Sequence, residues 1–151
     1  MLMSSIRPNF RSASFLREMS VHGNSCAAQR LSTAPRTYLG FDRNIYPGDE
    51  AMTELRKTFS FTSYWLSPPP GEKENTWRGK RELLRTQGYG FLVLFRGRAS
   101  SELRSDSIAK QKGASDARSA VAAARRERFA AGTTIFLDIE EGGRLPSSYH
   151  S

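Results

Sequence analysis

Two periods alternate along the chain from Thr37 onward: short apolar runs, and stretches whose apolar residues recur at helical spacing. Tyr38-Leu39-Gly40-Phe41-Asp42 is a compact apolar run that ends on an acid and predicts a first strand. Tyr46-Pro47-Gly48-Asp49 is a turn signal with Asp49 as helix N-cap, and Met52 and Leu55 form the short apolar face that follows. Phe59 to Leu66, dense in aromatic and hydroxyl residues, predicts a second strand, and Pro68-Pro69-Pro70-Gly71 stops it. Trp77 to Thr86 predicts a helix with Trp77 and Leu84 on its apolar stripe and Gly88 as its stop. Phe91-Leu92-Val93-Leu94-Phe95 is apolar on both faces, as a fully buried parallel strand requires. After a polar stretch, Arg96 to Ala114, a third helix capped by Ser115 or Asp116 is expected, with Ala117, Ala120, Val121 and Ala124 inward and Gly132 ending it. Thr133 to Glu140 predicts the fourth strand.

Strand and helix thus alternate three times before a fourth strand, which argues for an α/β fold with a parallel sheet. An open doubly wound sheet and a (β/α) barrel both fit. No Gly-x-Gly-x-x-Gly follows the first strand and no Walker A loop occurs, so nucleotide binding has no support.

Composition changes the picture at the N-terminus. Residues 1–36 carry five arginines and one acid, for a net charge of +4, and are rich in Ser, Ala and Asn. Residues 37–151 carry 18 basic and 14 acidic residues, so half of the chain's +8 lies in a short basic arm. The longer part has an ordinary mixed surface, which argues against nucleic acid as the main partner. The arm has no apolar run of secretory length and no paired arginines. It resembles a transit peptide in composition and reads as a disordered tail or an extension upstream of an internal start such as Met19. A lone Cys26 excludes an intramolecular disulfide, and His22 and His150 lie too far apart in sequence for a His-rich metal site. No apolar run approaches the roughly 18 residues of a membrane span, so neither a membrane span nor a metal or cofactor is expected.

The acids at strand ends carry the candidate chemistry. Asp42 closes the first strand, and Asp138 and Glu140 sit two apart on the fourth, so their side chains share a face while Ile135, Leu137 and Ile139 share the other. In a barrel that acid face is the interior at the C-terminal mouth, where barrel enzymes place their chemistry. Carboxylates gathered there suit glycoside hydrolysis: one stays protonated to donate to the leaving oxygen, and another stays ionised. Tyr38, Tyr64 and Trp65 are candidates to stack on sugar rings, and Glu141 extends the acidic rim. The competing reading makes these acids helix caps or partners of Arg43, Arg96 and Arg144, and it makes Trp77 a core residue and Arg125-Arg126-Glu127-Arg128 a solvated helix end.

At these residues the chain resembles a known group. Tyr38-Leu39-Gly40-Phe41-Asp42, Tyr46-Pro47-Gly48, Trp77-Arg78-Gly79-Lys80-Arg81, Gly88-Tyr89-Gly90-Phe91 and Ile135-Phe136-Leu137-Asp138-Ile139-Glu140-Glu141-Gly142-Gly143 are similar, in order, to the bacterial glycoside-hydrolase-like domains of unknown function typified by a secreted mycobacterial protein. That group is similar in plan to the barrel-type muramidases. The resemblance covers about three quarters of the chain. It implies a TIM-type (β/α)8 barrel, Glu140 as general acid, Asp138 as its orienting or stabilising partner, and Asp42 as a group that positions the sugar. A whole barrel of this kind takes about 250 residues. Residues 37–151 are therefore expected to supply its N-terminal half, about four strands and three helices, as a truncated domain.

Three functions follow as expectations. The first is a truncated glycoside-hydrolase-like domain whose ancestral substrate is a cell-wall polysaccharide or peptidoglycan, inactive as an isolated chain. The second is a non-catalytic carbohydrate-binding module using the same mouth. The third is a basic nucleic-acid-associated protein using residues 1–36. Exposed sheet edges also admit self-association.

Overall fold

The central apolar runs become strands because both their faces are covered. The structure, a computed structural model, describes residues 37–150. The basic arm, Cys26 and His22 lie outside the described residues. The regular elements are β1 (Gly40–Phe41), α1 (Asp49–Leu55), β2 (Phe61–Trp65), α2 (Arg81–Thr86), β3 (Gly90–Arg96), α3 (Asp106–Arg126) and β4 (Phe136–Asp138), with short 3-10 turns at Ser100–Glu102 and Ser147–His150.

The four strands make one sheet in the order β1-β2-β3-β4, and every pairing is parallel. The order never reverses, so the switch point that defines a doubly wound sheet does not occur among these strands. The ladders differ in extent, because β4 has only three residues. Gly40, Phe61 and Gly90 lie level with one another, whereas β4 joins β3 only from Leu94, which is four residues beyond Gly90 and pairs with Phe136.

Alternation along the strands sorts the side chains into two layers. Tyr64, Phe91 and Phe41 face the helices and loops: Tyr64 meets Phe91, Trp77 and Phe129 edge-on at centroid distances of 5.6, 6.2 and 5.3 Å, and Phe41 meets Phe59 at 5.1 Å. Ser63, Trp65, Leu92 and Leu94 lie on the other face and are buried as well. Met52 of α1 and Leu84 of α2 close the core.

Several boundaries depart from the sequence reading. The residue before α1 is Gly48, and Asp49 is the first helical residue. Its carboxylate binds Lys80 at 2.8 Å and accepts the Tyr46 hydroxyl at 2.8 Å instead of capping. Trp77 is fully buried but precedes α2. Its indole N–H reaches the carbonyls of Arg43 and Asn44 at 3.1 and 3.0 Å, so it fastens the loop after β2 to the loop after β1. α2 ends as expected at Gly88, whose φ of +86 completes a Schellman turn: the Gly88 and Tyr89 amides donate to Arg85 and Leu84.

α3 begins nine residues before Ser115, at Asp106. Ser105 is its N-cap, accepting the Ile108 amide at 3.4 Å. The buried residues are Ala109, Ala120, Ala123 and Ala124, while Val121 remains 46% exposed because it borders an open groove instead of the core. The helix stops at Arg126, well before Gly132. The same Schellman pattern forms there on Arg128 at φ 60, with Arg128 and Phe129 amides donating to Arg125 and Ala124. Glu127, expected to be solvated, accepts the Tyr64 hydroxyl at 2.5 Å and the Gly79 amide at 3.0 Å.

Candidate functional site

Because all four strands are parallel, their C-terminal ends share one edge of the sheet, and the loops that follow them form its rim. The rim is stitched. Beyond the Trp77 contacts, the Tyr46 amide donates to Thr76 Oγ1 at 2.9 Å and Asn44 Nδ2 to the Pro70 carbonyl at 3.0 Å. In the loop after β3, Arg98 forks onto Asp116 at 2.6 and 2.8 Å and reaches Glu102 at 2.9 Å. The Tyr149 hydroxyl caps this loop by donating to the Arg98 carbonyl. Fork geometry of this kind fixes the loop in direction as well as position.

On this edge Asp42, Asp138 and Glu140 come together. Asp42 follows β1 and is partly buried. Its Oδ1 is shut off from solvent without a hydrogen-bond partner among the described residues. Asp138 ends β4, level with Arg96, and Glu140 lies two residues further, on the same side and more exposed. The Asp138 carboxyl is pushed up to about 6, first by desolvation, then by a hydrogen bond with the Glu140 carboxyl and repulsion from the Glu140 and Asp42 charges. This setting favours a proton on Asp138 to a higher pH than a lone aspartate would keep it. None of the ion pairs among the described residues involves these three acids, so the reading of them as arginine partners finds no support there. Nor, among the described residues, do three or more His, Cys, Asp or Glu side chains group in a way that could hold a metal ion. No helix of the described residues is long and apolar enough to cross a membrane.

The sequence-predicted sugar contacts fare differently. Trp65 lies on the carboxylate face of the sheet but is 1% exposed, so no ring face is open to a ligand, and its indole N–H has no partner among the described residues. Tyr64 is fully buried on the helix side, because β2 is an inner strand covered by Trp77 and Phe129. Tyr38 is exposed, but it precedes β1. Four residues of extended chain, about 13 Å, separate it from Asp42, so it sits toward the opposite end of the strands. Glu141 is on the rim, where it accepts the Ser100 amide at 2.8 Å and the Ser100 hydroxyl at 3.0 Å, and so fastens the segment after β4 to the loop after β3.

Two residues that the sequence reading passed over hold the carboxylates in place. The Gly97 amide donates to the Asp138 carbonyl at 2.6 Å, and a Cβ at Gly97 would lie 2.5 Å from that same oxygen. Only glycine lets the backbone after β3 approach β4 this closely. The signal was a glycine directly after a buried strand. Ser63, fully buried, accepts the Arg43 amide at 3.3 Å and so anchors the chain just past Asp42.

Compared with models of known families, with curated proteins and with solved structures, the chain gives no match.

Proposed function

We propose that residues 37–150 are three β/α units and a fourth strand of a glycoside-hydrolase-like barrel wall, and that Asp42, Asp138 and Glu140 form a carbohydrate site on its rim. The unreversed strand order supports the barrel. The observation that carries the site is the placing of Asp138 beside Glu140 on the rim, with Asp42 as a third carboxylate, which pushes the Asp138 carboxyl up to about 6 and so favours its protonated form.

The chemistry follows from that proton. In a glycosidic cleavage the protonated carboxyl of the pair donates to the bridging oxygen as the bond to the anomeric carbon breaks. An ionised neighbour stabilises the positive charge on the sugar, and water adds to that carbon and returns a proton to the pair. Family resemblance gives the acid role to Glu140. The electrostatics favour Asp138 as the carboxyl that holds the proton before substrate arrives, so the pair is the functional unit. Asp42, which is only partly buried, is the acceptor for a sugar hydroxyl through its Oδ2, since Oδ1 is shut off from solvent. One half of a barrel rim presents one half of a substrate cleft, so we expect this chain to retain glycan without turning it over. The arrangement then serves as a binding module.

The test is retention on insoluble peptidoglycan together with turnover of a chitooligosaccharide. The expected result is retention that drops at least tenfold in Asp42→Asn and Asp138→Asn, with no product. No retention by the wild-type chain would overturn the site. Turnover that vanishes in Glu140→Gln would overturn the non-catalytic assignment. Retention of DNA that salt reverses, without retention of glycan, would favour the basic arm as the functional part.

A further inference from the structure

Residues 37–151 read in sequence as a mixed surface, but the fold sorts their charge. Residues 78–85 hold four cations and one acid, and residues 125–128 hold three cations and one acid. Far apart along the chain, the two segments meet on the helix side of the sheet. The Gly79 amide donates to Glu127 Oε2 at 3.0 Å, and the Arg81 amide donates at 3.2 Å to the same Tyr64 hydroxyl that bonds Glu127. The Arg81 guanidinium lies 4.7 Å from the centre of the Phe129 ring. Arg128 is within electrostatic reach of α2: the Glu82 carboxyl is held below its ordinary range first by its hydrogen bond with Arg85, and the Arg81 and Arg128 charges add to this. The two segments together carry +5, which leaves −1 for the rest of residues 37–151. The positive excess of the folded part is therefore one patch.

The acids of the patch do not neutralise it. Glu127 accepts from Tyr64 and Gly79 and stands in no ion pair among the described residues, and Glu82 is taken by Arg85 and Arg81. Arg78, Arg125, Arg126 and Arg128 are exposed, and none of them makes an ion pair among the described residues. The dipole of α3 accounts for Arg125 and Arg126 in its last turn. It does not account for Arg78, in the loop before α2, or for Arg128, beyond the end of α3. Arg128 is also the one non-glycine residue at positive φ among the described residues, so a guanidinium stands where glycine would relieve the backbone.

We propose that this patch binds the phosphate backbone of a nucleic-acid duplex without regard to sequence. Six of its seven cations are arginines, whose planar fork takes two phosphate oxygens at once. It offers no platform for unpaired bases: Tyr64 and Trp77 are buried, and Arg81 covers Phe129. It offers no apolar face to a membrane, since Leu83, 37% exposed, is the one large apolar residue of the two segments open to solvent. The rim carboxylates lie on the other face of the sheet, so patch and rim are separate sites and either can fail without the other.

The test is the fluorescence anisotropy of a labelled 20-base-pair DNA of mixed sequence. The full-length chain is used with Arg7, Arg11, Arg17, Arg30 and Arg36 changed to Gln, which removes the contribution of the basic arm. This parent chain should bind, with log Kd rising by about 3–4 per decade of salt, as four phosphate contacts require. Arg78→Gln, Arg125→Gln, Arg126→Gln and Arg128→Gly combined should weaken binding at 50 mM salt at least tenfold and flatten the slope by about one per arginine. Removing as many exposed cations elsewhere, with Lys73→Gln, Arg104→Gln, Lys110→Gln and Arg144→Gln, should change Kd less than threefold. Arg128→Gly alone separates binding from folding: it should bind about threefold more weakly while resisting denaturant better than the parent. No binding by the parent at 100 μM overturns the proposal, as does equal weakening by the two charge-matched variants. Tighter binding to the single strand, or to phosphatidylglycerol vesicles, than to the duplex overturns it as well.

Discussion

Asp138 is where residue-scale chemistry bears on pH. Desolvation and the Glu140 carboxyl push its carboxyl up to about 6 in the folded chain, from about 3.9 for a free aspartate. The folded state therefore holds an extra proton between those two values, and stability falls as pH rises through that window. The contribution is fully present below about pH 4 and lost above about pH 6. Asp138→Asn should remove this slope and make the chain more stable than wild type at pH 7.5 by about 1 kcal/mol, allowing for solvent screening. Thermal melts at pH 4.5 and 7.5 check it, and an unchanged slope in the variant would contradict it. Gly97→Ala tests how the position is held. Its Cβ meets backbone, which cannot swing aside, so a loss of about 2 kcal/mol is expected. The Asp138 titration should also move toward the ordinary carboxylate range as β4 is pushed from β3. That Asp138 and Glu140 share a face was legible from their spacing of two. That Trp65 and Tyr64 are closed to ligand was not, because aromatic side chains serve a core and a sugar platform equally well and only the covering elements decide.

At the scale of elements, the existence and order of the strands were readable, whereas the extents of β1 and β4 and both ends of α3 were not. The run Phe91–Phe95 predicts β3 within one residue at each end, because an apolar stretch buried on both faces needs no pattern beyond itself. α3 was placed nine residues short. Its first half, Asp106 to Ala114, buries only Ala109 and so shows no apolar stripe. It is held by the Ser105 cap and by the fork of Arg98 on Asp116, a contact between residues 18 apart that no local pattern reports. Its end was missed because Arg128, not a glycine, occupies the left-handed position of the closing turn. Arg128→Gly should stabilise the chain by about 0.5–1 kcal/mol, since glycine adopts that φ without the Cβ penalty. Chemical denaturation with an unchanged m-value checks the gain, and a loss would contradict the assigned turn.

Over the whole molecule, alternation of strand and helix was enough to give a parallel α/β sheet, but not its direction of winding. That came from the strand order, which keeps one sense from β1 to β4, and from the parallel pairing that brings the end of β1 and the end of β4 to one rim. Asp42 and Asp138 are 96 positions apart, and only that winding makes them electrostatic neighbours. The site is thus a property of the sheet, with the stitched loops after β1, β2 and β3 holding its rim. Its central claim is that the Asp138 and Glu140 pair, with Asp42 beside it, forms one unit that takes a sugar. Carbon-13 NMR of the side-chain carboxyls, titrated from pH 3 to 8 with and without a chitooligosaccharide, reads that unit directly. Asp138 should titrate near 6, its curve should respond in Glu140→Gln, and the Asp42 and Asp138 signals should move when sugar is added. An Asp138 that titrates near 4 and is indifferent to both would contradict it.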